Sequence, residues 1–150
     1  MKEIYYTYNN EAIASCALLS VLNQVDKLDI ARSCLILPFL LDDRTVNHLT
    51  KNQGQNLSLE QLEKDHPRLF ISFNKRYLSL LPVTINSLMI LSKSTQITIG
   101  DGIIKAEKFS FDNTNLGDRF SKIEKAIPDF VTMIEKYQTT QLYKALKIQL

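Results

Sequence analysis

His48 and His66 are the only histidines, so acid–base or zinc chemistry would have to be built on them. Eighteen residues separate the two, with no His-Glu-x-x-His or Cys-x-x-Cys spacing to supply a ligand pair. His66 stands beside Pro67 and reads as a helix-start residue before it reads as a general base. Asp42-Asp43 could be half of a metal-binding carboxylate cluster, but adjacent acids at the end of an apolar helix read first as a solvated cap. No Gly-x-x-x-x-Gly-Lys loop exists to cradle a nucleotide phosphate, and Gly100-Asp-Gly102 is better explained as a hairpin turn. Tyr5-Tyr6-Thr-Tyr8 could stack on bases; packing against the first helix or a partner is the simpler reading. Cys16 and Cys34 both lie in apolar helical patterns and read as buried free thiols, with a disulfide as the alternative. The expectation is no catalytic residue, no metal and no cofactor. The chain reads as a protein that is not an enzyme.

The element that must organise everything else is Ala31-Arg-Ser-Cys-Leu-Ile-Leu-Pro-Phe-Leu-Leu41. From Cys34 to Leu41 every residue except Pro38 is strongly apolar, too short a run to span a membrane. An apolar helix with no polar face is buried on all sides, so this stretch is expected at the centre of the core. Asp29 suits its N-cap, Asp42-Asp43 its polar exit, and Pro38 predicts a kink.

Around it, Asn9 or Asn10 can cap a first helix to about Gln24, with Ala14, Leu18, Val21, Leu22 and Val25 in one stripe. Lys27–Asp29 reads as the turn into the central helix. Asp42 or Asp43 then starts a short helix carrying Val46 and Leu49, which ends in a polar loop with Gly54 left-handed. Ser58 and Gln61 form a capping box, with Leu57 and Leu62 as a hydrophobic staple.

Pro67 opens a helix to about Leu81, and Pro82 is expected to open another, with Ile85, Leu88, Met89 and Ser92 at helical spacing. Thr95–Ile99 then alternates with period two, turns at Gly100-Asp-Gly102 and pairs back through Ile103–Ala106. Helix, turn, helix, hairpin is the order of a winged helix-turn-helix. Phe109 and Phe111 are expected to pack that wing on the body. Leu116, Phe120, Ile123 and Ile127 mark a helix that Pro128 ends or kinks, and Thr139 or Thr140 caps a last short helix. The expected fold is mainly α (α+β), a compact helical domain with a winged helix-turn-helix-like part and one β-hairpin. It is a single domain, 1–150, with N-terminal helices over 1–65, the winged-helix-like segment over 66–111 and C-terminal helices over 112–150.

Composition agrees with a globular protein: 45% apolar, 23% charged, four glycines and four prolines. The N-terminus shows no signal region, which predicts a cytoplasmic location. The net charge of +2 is small but unevenly spread: residues 66–100 contain no acid, against Arg68, Lys75, Arg76 and Lys93. Those four are the candidate DNA-facing residues, for weak, non-specific contact. Tyr5, Tyr6 and Tyr8 precede the first cap, while Leu142, Tyr143 and Leu146 crowd the chain end with Ile148 and Leu150. Both ends are expected to expose apolar anchors for a partner.

Tyr8-Asn-Asn-Glu-Ala12, the apolar helix after it, and Cys34–Leu41 followed by Arg44 and Leu49 resemble the small middle component of bacterial three-component ABC-ATPase defence systems, the Lamassu-type group among them. Thr139-Thr-Gln-Leu-Tyr-Lys-Ala-Leu-Lys-Ile148 resembles that family's closing helix. The chain departs from the family where Pro often replaces Asn10 or Glu11. It also departs at Ala126, followed by Ile127-Pro-Asp-Phe130 with neither the family's Gly nor its Trp. The resemblance implies a non-enzymatic adaptor linking a large SMC/Rad50-like ATPase to an effector, often a nuclease, in anti-phage or anti-plasmid defence that senses DNA. The alternative is a free-standing winged-helix DNA-binding regulator.

Overall fold

The computed structural model describes residues 10–106 and 116–149. Helix α1 (Glu11–Gln24) starts where Asn10 accepts hydrogen bonds from the N–H groups of Ala12 and Ile13. A three-residue strand, β1 (Lys27–Asp29), leads into the short helix α2 (Ile30–Ser33), which Asp29 caps by accepting from Arg32 N–H at 2.6 Å. The expected turn at Lys27–Asp29 is therefore a strand. After a break at Cys34-Leu35 the chain forms α3 (Ile36–Leu40), then α4 (Asp43–Lys51), capped by Asp42. Helix α5 (Leu59–Asp65) carries half the expected capping box. Ser58 accepts from Gln61 N–H, but the Gln61 side chain turns to Asp65 instead.

A 3-10 turn over Pro67–Leu69 precedes α6 (Phe73–Lys93), and here the structure corrects the sequence reading. Pro82 does not open a new helix; it lies inside α6, and the helix-turn-helix expected around it is absent among the described residues. The reason is position. Pro82 and Leu78, the residue whose carbonyl loses its N–H partner, are both exposed, so water can take the place of the missing donor. Pro128 is likewise exposed inside α7 (Gly117–Glu135). The last helix, α8 (Thr139–Ala145), is capped by Gln138 paired with Gln141, not by a threonine.

The hairpin is as expected. Strands β2 (Ile97–Gly100) and β3 (Ile103–Ala106) pair antiparallel, Gly100 opposite Ile103, across Asp101-Gly102. Both turn residues have positive φ, +45° and +75°, the two-residue turn whose twist suits a hairpin. Strand β1 adds to the outside of β3, giving the order β1-β3-β2. The fold is mainly α. Phe109 and Phe111 lie outside the described residues.

Helix α3 is the centre. Ile36, Leu37 and Leu40 are fully buried, and α1, α4, α6 and α7 all pack on it. The Phe39 ring meets Phe73 at 4.8 Å and Phe130 at 5.2 Å between centroids, which brings α6 and α7 onto one side chain. Leu37→Asp should remove cooperative unfolding or cost more than about 4 kcal/mol, because the carboxylate has no partner there. A thermal melt close to wild type would contradict this placement.

Candidate functional site

The chain end expected to expose anchors is built into the body. Leu142 is fully buried and Leu146 nearly so. Tyr143 is half-buried, and its hydroxyl donates to Ala31 O at 2.6 Å and meets the Tyr77 hydroxyl at 3.1 Å. Burial, and then the Tyr77 contact, push its phenol well above the usual range, so it stays protonated as a donor. Ile148 packs against the core, and Gln149 N–H donates to Asn74 at 2.8 Å. Leu142 and Leu146 are therefore core residues and not free partner anchors, and the Tyr143 hydroxyl is spent on Ala31 and Tyr77. Tyr5, Tyr6 and Tyr8 lie outside the described residues.

A polar lock holds this end in place. Thr139 Oγ1 donates to Asp29 at 2.6 Å and accepts from Arg32 Nε at 3.0 Å. The same guanidinium donates to Tyr137 O and to Ile134 O, carbonyls where α7 ends. Asp29 thus caps α2 and anchors α8 together. Beside the lock, a cleft of about 300 Å³ is lined by Val21, Val25, Leu28, Ile36, Val131 and Ile134. Its Asp29 and Arg32 are already committed to the lock.

The four basic residues divide. Arg76 turns inward: it donates to Pro38 O at 3.2 Å, Leu69 O at 3.0 Å and Ser72 Oγ at 3.1 Å. It also lies 3.9 Å from Asp42, and its guanidinium sits 5.1 Å from the Phe73 ring centroid. Arg76 is therefore not a DNA-facing residue. Its five donors match a set of buried acceptors, which a sequence cannot distinguish from a surface cation. Arg68, Lys75 and Lys93 are exposed. Lys75 and Lys93 stand eighteen residues apart, five helical turns, and so project from the same side of α6.

Between those lysines lies a feature the sequence reading had noted only as helical spacing of Ile85 and Met89. Leu78, Ile85 and Met89 are 44%, 48% and 50% exposed, and Pro82 is exposed with them. Their spacing of four, three and four residues makes one stripe on the outer face of α6. The inner face carries its own stripe, Phe73, Tyr77, Leu80, Thr84, Ser87 and Leu91, all buried. Ile71, just before the helix, is 80% exposed. The signal was readable: two apolar stripes on one helix cannot both face one core.

The groups that might have done chemistry hold structural posts. Asp42 accepts from Thr45 N–H and its hydroxyl, and Asp43 pairs with Arg119 at 3.3 Å. His48 and His66 pack with ring centroids 4.2 Å apart. Burial first, then neighbouring His66 and Lys51, hold the His48 imidazole below its ordinary range. Cys16 and Cys34 are free thiols. No described helix is long and apolar enough to cross a membrane.

Cutting the chain after Gln138 should cost about 5 kcal/mol, from two buried leucines and the lost hydrogen bonds, a large share of a domain's stability. Tyr143→Phe alone should cost about 1 kcal/mol. Urea denaturation checks both, and a truncated chain with the full-length midpoint would put α8 outside the core after all.

The family described as ABC-three component (ABC-3C) system Middle Component 3, MC3, matches residues 2–150, and the chain belongs to it. Membership implies partner components in the same system. No curated protein and no solved structure matches the chain.

Proposed function

We propose that this middle component is a non-enzymatic adaptor, holding an SMC-like ATPase and an effector, often a nuclease, in one cytoplasmic assembly. Defence against phage or plasmid DNA is the setting that the Lamassu-like sequence features suggest. One observation carries the reading: α6 is apolar on two sides, and among the described residues only one of them is covered. A helix with a second apolar stripe needs a second surface to cover it. For a chain whose family supplies partner components, the second cover is one of those components.

The side chains support an adaptor in a second way. Asp42, Asp43, Arg76 and Tyr143 are spent on caps, an ion pair and carbonyl contacts, which are tasks of holding shape. Direct DNA contact is a minor part of the proposal. With Arg76 turned inward, Arg68, Lys75 and Lys93 remain, and three phosphate contacts give a log–log salt slope of about −2.7.

Co-expression with the other components of its system should bring the chain down with at least one of them. Alone, it should neither hydrolyse ATP nor bind DNA with a slope steeper than that. Isolation free of every component, with tight DNA binding at physiological salt, would replace the adaptor with a free-standing regulator.

A further inference from the structure

We infer that the outer face of α6 is the docking site for an amphipathic helix of a partner component, apolar along one stripe and acidic towards both ends. This rests on the adaptor reading and adds the place and the chemistry of the contact. Leu78, Pro82, Ile85 and Met89 cover three turns, about 17 Å along the axis. Spacing of four, three and four is the repeat that meets a second helix along a seam. Ridge and partner then pack as two helices do in any bundle, with aliphatic side chains interleaved.

Charge selects the partner. Lys75 and Lys93 stand in the same angular sector as the stripe, one at each end, about 27 Å apart. No acid occurs between residues 66 and 100, so nothing in that segment offsets them. A helix with carboxylates near both ends of its apolar stripe meets both lysines. A second copy of this chain does not fit. Two such faces laid together, parallel or antiparallel, set lysine against lysine at both ends, and like charges across an interface are repulsive. Nucleic acid does not fit either, since four apolar side chains lie between the two cations. Pro82 adds one feature: it supplies no N–H to the carbonyl of Leu78, which lies exposed on this same face.

The test uses the full chain co-expressed with the other components of its system, in two variants. Ile85→Glu with Met89→Glu places two carboxylates in the seam. Lys75→Glu with Lys93→Glu reverses the ends. All four positions are exposed, so both variants should keep the wild-type helical spectrum and a melting midpoint close to wild type. The seam variant is expected to lose capture of one component at least a hundredfold. The end variant should weaken it about tenfold and lose the salt dependence shown by wild type. Capture of either variant at wild-type strength overturns the inference while leaving the adaptor reading in place. Conversion of a self-associated wild type into a monomer by the seam variant also overturns it, in favour of a second copy. If wild type captures no component, the adaptor reading falls, and this inference with it.

Discussion

A helix buried on every side needs outside donors for the carbonyls at its breaks and its C-terminal end. The apolar segment from Cys34 to Leu41 is interrupted, and its breaks leave carbonyls without the N–H four residues on. Leu35 N–H turns to Arg32 O, Asp42 N–H to Phe39 O, and Thr45 N–H to the Asp42 side chain. Ala31, Pro38 and Leu41 are thereby passed over. Tyr143, Arg76 and Arg119 donate to them, from α8, α6 and α7 respectively. An unanswered carbonyl in a core costs about 1–3 kcal/mol. The contacts to buried Pro38 and Leu41 therefore fix how α6 and α7 lie on the centre, while the Tyr143 contact to exposed Ala31 ties α8 alongside. Arg32 returns the favour, donating to carbonyls at the end of α7.

That requirement decides what is left for partners. Arg76 cannot serve a polyanion while it answers Pro38 and Leu69, and the Tyr143 hydroxyl is spent on Ala31. Leu142 and Leu146 follow Tyr143 into the body. The chain end is spent on the fold. Among the described residues the outer side of α6 is not, because its inner stripe already meets α1 and α3 while Leu78, Ile85 and Met89 stay about half exposed. An exposed ridge of this kind on an otherwise well-buried chain is the ordinary mark of an interaction surface.

Much of the frame was legible from local chemistry. Asn10, Asp29, Asp42 and Ser58 cap where short polar side chains before apolar runs should, and Asp101-Gly102 turns as its type demands. Reading failed where the deciding fact was solvent exposure. Proline is a breaker when the carbonyl behind it is buried; at Pro82 both the ring and Leu78 sit outside, and the helix runs on. Strand β1 is only Lys27–Asp29, too short to show a period, and exists because β3 lies beside it. Arg76 and Tyr143 look like surface groups until the carbonyls they answer are located.

On the proposed arrangement, one side of α6 is covered by α1 and α3 and the other by a partner component. Two methionines report on it directly. Met89 is 50% exposed on the outer face, and Met133 is 1% exposed in the core. Oxidative footprinting of the free chain and of the co-purified assembly should label Met89 readily in the first and protect it in the second, with Met133 protected in both. Equal labelling of Met89 in chain and assembly would leave the outer face bare and contradict the account.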